Sequence, residues 1–125
     1  MCAMALMAGI VSGCRTTELG QLGKEPKSIV HYDGAKALHM AANHRQAAME
    51  FERFLSRNSK SPLAPAARYY LARSYQAMND FGPARTNFQE LLDNYDTGIW
   101  VDLARWELKK IDASKIIRPA GTAQK

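Results

Sequence analysis

Three basic side chains recur in this sequence at intervals of 37 residues, and each follows an aromatic residue by four positions. The basic residues are Lys36, Arg73 and Lys110, and the aromatic residues are Tyr32, Tyr69 and Trp106. A spacing of four places both members of each pair on one face of a helix. Lysine and arginine donate charge-assisted hydrogen bonds to carboxylates, and aromatic rings supply contact area at low entropic cost. The pattern indicates binding of an acidic group.

The sequence contains no group of residues typical of an enzyme active site. The three histidines, His31, His39 and His44, lie at spacings that do not place two of them on one face beside a carboxylate, as a metal site would require. No serine has a Gly-x-Ser-x-Gly context, and the sequence has no glycine-rich phosphate loop. The sequence therefore predicts that the protein is not an enzyme and holds no cofactor or metal.

The composition is that of one ordinary globular domain. The chain has 125 residues, of which 46% are hydrophobic and 23% charged, with a formal net charge of +5. This excess is dispersed along the chain, so it does not indicate a nucleic-acid partner. Both cysteines, Cys2 and Cys14, lie near the start, so the rest of the chain has no disulfide or thiolate metal site and must be held together by packing.

An apolar segment, residues 1–13, precedes Cys14 and ends in Val11-Ser12-Gly13. It is too short to span a bilayer as a helix, which takes about 20 residues. The segment resembles the signal of a bacterial lipoprotein, in which an aliphatic residue and two small residues precede the acylated cysteine. The resemblance implies cleavage after Gly13 and attachment of lipid to Cys14, which would anchor the protein to a membrane.

The residues around this segment refine what the resemblance implies. No lysine or arginine precedes Cys14, where such signals usually carry one, so we expect either that the true start lies upstream or that a basic leader has been lost. The alternative to a lipoprotein signal is an apolar N-terminus on a cytosolic protein. Arg15 stands where an aspartate would signal inner-membrane retention, which implies an outer-membrane anchor facing the periplasm. Residues 14–27 carry two glycines, a proline and scattered charge, so we expect a flexible tether.

The interval of 37 extends beyond the basic residues, which indicates an internal repeat. The aligned pairs include Ala35 with Ala72, Ala47 with Ala84, Phe51 with Phe88, and Leu55 with Leu92. Apolar residues in each repeat unit recur at steps of three and four, which predicts two antiparallel helices per unit. The predicted helices include 29–42, 44–57 and a last helix at 98–112, and Asp80 is expected to cap the fourth helix. The sequence predicts an all-α solenoid of about two and a half hairpins (five helices) within residues 28–112, followed by a tail at 113–125.

The second repeat unit resembles the tetratricopeptide repeat. The resemblance rests on the hydrophobic and small residues Leu71, Ala72, Tyr75, Asn79, Asp80, Phe81, Ala84, Phe88 and Leu92. The repeat length, the run of Phe51, Phe54 and Leu55, and residues 61–72 are most similar to the cell-envelope subset of this family, which includes BamD-type and Tol-Pal-associated proteins. The resemblance implies a membrane-anchored adaptor that mediates protein–protein interaction in the bacterial envelope.

The resemblance also implies which face binds, because the first helix of each unit lines the concave side of such a solenoid. The predicted groove consists of Tyr32, Lys36, His39, Met40, Tyr69, Arg73, Gln76, Trp106 and Lys110. The expected ligand is an extended peptide of an envelope protein with an acidic end. Reversing the charges of Lys36 and Arg73 is expected to abolish binding and leave the fold intact. The alternative is that the aromatic residues pack between hairpins and the basic side chains are only solvated.

Two other functions stay open from the sequence. The chain could be a structural subunit of a large envelope machine, such as an outer-membrane assembly, pilus, secretion or motility complex. Ile116 and Ile117 would then either dock on a neighbour or cover the last helix. The protein could instead bind peptidoglycan or anionic lipid through its net charge, which predicts a steep dependence on salt.

Overall fold

The computed structural model describes residues 27–117, and their side chains as far as residue 114. Five helices occupy this part of the chain: α1 (Lys27–Met40), α2 (His44–Arg57), α3 (Ala64–Ala77), α4 (Phe81–Asn94) and α5 (Ile99–Ile117). The chain divides between Val30 and His31 into two parts, and residues 27–30 of the first part form the start of α1. The predicted signal segment, Cys14, the tether before residue 27 and the end of the predicted tail lie outside the described residues.

The predicted all-α fold is confirmed within residues 31–117. Successive helices pack against each other as hairpins, α2 on α3, α3 on α4 and α4 on α5. One core joins α1, α2 and α3 around Phe51 and Phe54, and a second joins α3, α4 and α5 around Phe88. Ala72 and Ala84 are fully buried in the second core, as expected for small residues where two helices approach closely.

The first helix of each hairpin ends in the same left-handed turn. Ala42 and its repeat equivalent Asn79 have φ angles of 62° and 60°. The residue that follows each of them donates its backbone N–H to a carbonyl five positions earlier, at 2.9 Å in both turns. This arrangement is the Schellman motif, which satisfies carbonyl groups that a helix end leaves without partners. The two hairpins therefore share a connection that depends on the backbone and on one left-handed residue.

Asparagine in place of Ala42 is expected to stabilise the fold by about 0.5 kcal/mol. The left-handed conformation costs an alanine about 1 kcal/mol, whereas asparagine adopts it more readily. Ala42 is exposed, so the larger side chain displaces no neighbour. Urea unfolding measures the effect, and the reverse change, Asn79→Ala, should destabilise the protein by a similar amount. Equal stability of all three proteins would contradict this explanation of the turn.

Some helix ends differ from the sequence prediction. α1 ends at Met40 rather than at residue 42, because Ala42 enters the left-handed turn. α5 continues to Ile117, beyond the predicted end at residue 112, since no glycine or proline follows Gly98 before Pro119. Asp80 stands at the N-cap of α4, but its side chain makes no capping hydrogen bond, so that expectation is wrong. None of the helices between residues 27 and 117 has an apolar stretch sufficient to cross a membrane.

Candidate functional site

A buried carboxylate organises two of the three recurring basic residues. Glu107 on α5 is 1% exposed, and Arg73 Nη1 on α3 donates to its Oε1 at 2.5 Å. Gln76 Nε2 donates to Oε2 at 3.0 Å, and Lys110 Nζ lies 3.4 Å from the same oxygen. Arg73 and Lys110 are each partly exposed, at 38% and 48% of their side-chain surface. Glu107 therefore fixes the positions of two cations whose outer surfaces still face solvent.

Sequence reasoning did not single out Glu107, although two signals were available. Its repeat equivalent, 37 residues earlier, is Tyr70, so a charged residue stands where the preceding unit has an aromatic one. It also lies on the buried stripe of α5, three residues after Ala104 and four before Ile111, both of which are buried. A carboxylate on a buried stripe requires a cationic or hydrogen-bonding partner from another helix.

The third basic residue, Lys36 on α1, lies over the ring of Tyr70 on α3. Its Nζ is 5.7 Å from the ring centroid, within the range of a cation–π interaction. Among the described residues no carboxylate pairs with Lys36, and Tyr70 is one helical turn from Arg73 on α3. We call the surface formed by Lys36, Tyr70, Arg73, Glu107 and Lys110 the cationic surface. Its three cations and one carboxylate give it a net charge of +2.

His39 borders this surface and is held by a buried serine. Its Nδ1 is 2.8 Å from Ser74 Oγ, and that hydroxyl donates to the carbonyl of Tyr70 at 2.9 Å. Because the hydroxyl hydrogen is used in that bond, Nδ1 must be the donor to Ser74, and the neutral ring carries its proton on Nδ1. Burial lowers the pKa of His39, and the nearby His44 and Arg73 lower this pKa further. The ring is therefore held in its neutral form near neutral pH.

We expect the free energy of unfolding to decrease as the pH falls below about 6.5, the ordinary pKa of histidine. A histidine whose pKa is lowered in the folded protein binds protons more weakly there than in the unfolded chain, so acid favours unfolding. Its contribution is complete above pH 6.5 and is lost as the pH falls toward the lowered value. Urea unfolding between pH 8 and pH 5 measures this. His39→Gln, which can still donate to Ser74, should give a flatter profile, and an unchanged profile would contradict the assignment.

Two aromatic residues of the predicted groove are covered by other helices. The Tyr32 ring packs against Phe51 and Phe54 of α2, at centroid distances of 6.1 and 5.9 Å, and is 7% exposed. Burial, with the nearby Tyr70 and Asp33, raises the pKa of Tyr32 to about 12. Tyr69 is 9% exposed and packs against Phe88 of α4 and Trp100 of α5. These two rings therefore stabilise the hairpins and offer little area to a partner.

The remaining groove residues are exposed or lie at the edge of the cationic surface. Met40 is 74% exposed at the end of α1, one turn beyond Lys36. Trp106, the repeat equivalent of Tyr32 and Tyr69, is 57% exposed, and Lys110 Nζ lies 4.1 Å from the centroid of its ring. Gln76 uses its amide nitrogen on Glu107, and its buried Oε1 has no hydrogen-bond partner. The structure thus brings Lys36, Arg73 and Lys110 together through Tyr70 and Glu107.

The histidines are closer together than their spacing suggested. The rings of His39 and His44 meet edge to face across the α1–α2 turn, with centroids 5.1 Å apart. The buried Nδ1 of His44 has no hydrogen-bond partner. Within the described part of the chain, no three histidine, cysteine, aspartate or glutamate side chains lie close enough to hold a metal ion.

Comparison with known protein families agrees with the hairpin architecture. Residues 66–97, which include most of α3 and all of α4, match the tetratricopeptide repeat family. No curated protein matches the chain. Tetratricopeptide repeats are typically interaction scaffolds without enzymatic activity, and they generally bind protein partners. The match to residues 66–97 and the paired helices around it support a tetratricopeptide-repeat protein, whose repeat is typical of a protein–protein interaction module.

Proposed function

We propose that this protein is a lipid-anchored adaptor of the bacterial cell envelope that binds an acidic segment of a partner protein on its cationic surface. The observation that carries the proposal is the convergence of Arg73 and Lys110 on buried Glu107 beside Lys36 and Tyr70. Cations that are already oriented lose less conformational freedom when a ligand binds. The partner is expected to present a carboxylate to Lys36 and Arg73.

The geometry favours an anionic ligand for two reasons. Glu107 engages one guanidinium nitrogen of Arg73, and the guanidinium group has five N–H donors, so others are available to a second carboxylate. Lys36 has no carboxylate partner among the described residues and stands over the face of Tyr70. A carboxylate between these two cations would receive charge-assisted hydrogen bonds from both helices, α1 and α3.

The envelope location belongs to the proposal and rests on two resemblances of the sequence. Val11-Ser12-Gly13-Cys14 is similar to a lipoprotein signal, and the repeat is similar to those of BamD-type and Tol-Pal-associated envelope proteins. Lipid on Cys14 would place the cationic surface near the membrane at the end of a short tether. Growth with an alkyne-tagged palmitate analogue tests this directly. The protein and its Cys2→Ala variant should be labelled, Cys14→Ala should not, and labelling of Cys14→Ala would refute the anchor.

Binding at the cationic surface can be tested in living cells by photocrosslinking. Benzoylphenylalanine at position 40, one turn from Lys36, should form an adduct with a partner, and at the exposed Thr86 on α4 it should not. The adduct should disappear with Lys36→Glu and persist with Lys60→Glu, a charge-matched change in the exposed α2–α3 loop. Peptide mapping should place the crosslink beside acidic residues of the partner. Persistence of the adduct in Lys36→Glu would refute the proposed surface.

Charge reversal at Arg73 does not serve this test, contrary to the expectation from the sequence. A glutamate at position 73 would face the buried carboxylate of Glu107, and two close carboxylates in a buried place repel each other. The fold is therefore expected to weaken with such a variant, so a loss of binding would not identify the surface. Lys36 is the informative position because it is exposed and takes part in no described ion pair.

A structural subunit of an envelope machine is a second candidate, and it is favoured by one observation. Trp106 and Ile99 on α5, the last described helix, are 57% and 67% exposed. Large apolar side chains at the end of a helical stack are typical of a surface covered by a neighbour. Under this alternative the crosslink should form from position 106 or 99 and should not depend on Lys36.

A further inference from the structure

A second cleft lies on the other side of α3 from the cationic surface. It has a volume of about 260 Å³ and is lined by Arg45, Ala48, Met49, Glu52, Tyr75, Met78 and Asp80. Tyr75 and Met78 share one face of α3, whereas Arg73 and Gln76 precede each of them by two residues, about 200° around the helix. We call this site the methionine cleft. It belongs to the surface between α2 and the α3–α4 hairpin.

The walls of the cleft are apolar and adaptable. Met49 on α2 is 55% exposed, and Met78 at the end of α3 is partly buried against the first core. Methionine side chains are flexible and polarisable, so they can fit apolar groups of different shapes. The exposed Met49 and the partly buried Met78 therefore offer apolar surface that is not buried in the packing between helices.

The rim of the cleft carries two carboxylates and one cation. Tyr75 Oη donates a hydrogen bond to Glu52. That bond, burial and the charges of Glu52 and Asp80 raise the pKa of Tyr75 to about 12. Asp80 makes no side-chain hydrogen bond or ion pair among the described residues, and the same holds for Arg45. With two carboxylates and one cation, the rim has a net charge of −1 on a chain of net charge +5.

The corresponding positions on α4 carry polar residues, which shows that the fold does not require the side chains that α2 presents to the methionine cleft. The repeat equivalents of Ala48, Met49 and Glu52 are Arg85, Thr86 and Gln89, which line a cleft of about 280 Å³ with Glu90 and Asp93.

The charges in this second-unit cleft are paired within the protein. Arg85 forms an ion pair with Asp112 of α5, and Glu90 forms one with Arg68 of α3. Gln89 donates to Asp93 at 3.0 Å. The second-unit cleft is therefore polar and satisfied internally, whereas the methionine cleft has apolar surface and a carboxylate without a partner. This difference within one chain points to a ligand at the methionine cleft.

We infer that the methionine cleft is a docking site for a partner protein segment in which an apolar side chain stands next to a lysine or arginine. The apolar side chain would lie on Met49 and Met78. The aliphatic stem of the basic residue would cover the methionine surface, and its charged end would reach Glu52 and Asp80. The net negative charge of the rim disfavours the acidic segments expected at the cationic surface, so the two surfaces are expected to recognise opposite charge on opposite sides of α3.

Methyl NMR of the full chain labelled with ¹³C-methyl methionine tests this site by site. The probe is a short amphipathic helical peptide of leucine and lysine, and its control is the same peptide with glutamate in place of lysine. The lysine peptide should shift the methyl signals of Met49 and Met78 in a saturable way, with Met40 unchanged as an internal reference. The glutamate peptide should leave Met49 and Met78 unshifted.

Exchanging residues between the repeat units provides matched variants. Met49→Thr and Glu52→Gln give the first unit the residues of the second, and each should weaken binding of the lysine peptide about tenfold, as expected for a central contact residue. Glutamine at position 52 can still accept the hydrogen bond of Tyr75. Thr86→Met, the reciprocal change, should leave binding unchanged. Equal affinity of Met49→Thr and the unaltered protein for the lysine peptide, a larger shift at Met40, or equal shifts of Met49 and Met78 with both peptides would overturn the inference.

Discussion

Replacing Arg73 by methionine is expected to destabilise the protein by about 2 to 3 kcal/mol, because the change leaves the buried carboxylate of Glu107 without its shortest hydrogen bond. Methionine retains the apolar stem of arginine, so the lost packing is small. Lys110 and Gln76 remain near Glu107 and limit the loss. Unfolding in urea, followed by circular dichroism, measures the difference.

Substitution of Glu107, the other member of this ion pair, is expected to cost less stability than substitution of Arg73. Glu107→Gln is expected to cost only about 1 kcal/mol, because Arg73 and Lys110 are partly exposed and water can replace the carboxylate around them. Combining Arg73→Met with Glu107→Leu should restore part of the stability lost by Arg73→Met alone, since no buried charge then remains. Equal costs for Arg73→Met and Glu107→Gln would mean that Glu107 is well hydrated, contrary to its 1% exposure.

The largest loss of stability is expected from Phe51→Ala, at about 3 to 5 kcal/mol. Phe51 is fully buried, meets the ring of Tyr32 on α1, and stacks on Tyr70 of α3 with centroids 6.0 Å apart and planes within 11°. Truncation removes the apolar contact that joins three helices and leaves a cavity between them. Urea unfolding gives the magnitude, and Phe51→Leu, which refills part of the space, should cost about 1.5 kcal/mol or less.

This substitution should also affect the proposed function. Phe51 stacks on Tyr70, and Lys36 Nζ lies over the same Tyr70 ring. Loss of Phe51 is therefore expected to loosen α1 from α3 and to separate Lys36 from Arg73. Crosslinking from position 40 should therefore fall even at temperatures where the variant stays folded. Met40→Ala, at an exposed position, should change stability by less than about 0.5 kcal/mol. A similar loss of stability in Phe51→Ala and Met40→Ala would show that the first core contributes little to the stability of the fold.

The fold was predictable because the same pattern of apolar and small residues is repeated along the chain. The interval of 37 aligns Ala35, Phe51 and Leu55 with Ala72, Phe88 and Leu92, and steps of three and four within each unit define which face of each helix is buried. The order of helices then follows, since short connections between amphipathic helices give antiparallel hairpins. The start of α2 at His44 and its end at Arg57 agree with the prediction.

The burial and the pairing of the candidate-site residues were harder to predict because they depend on how the helices pack against one another. Periodicity places Tyr32, Tyr69 and Trp106 at one register position, but only the packing of α2 and α4 shows that the two tyrosines are buried. The pairing of Arg73 with Glu107 joins residues 34 positions apart on different helices, and nothing in local sequence specifies it. The Asp80 cap failed for a related reason, since that side chain lines the methionine cleft instead.

The two tryptophans of the chain lie in different environments, so their fluorescence reports separately on the core and on the surface of α5. Trp100 is half-buried against Tyr69 and Tyr70, at centroid distances of 5.4 and 5.7 Å, and packs against both cores, so its emission reports the integrity of the core packing. Trp106 faces water, with an ammonium group at 4.1 Å from its ring. A macromolecule that binds α5 at Trp106 would dehydrate this indole and shift its fluorescence to shorter wavelength. Single Trp→Phe variants would separate the two signals without an added dye.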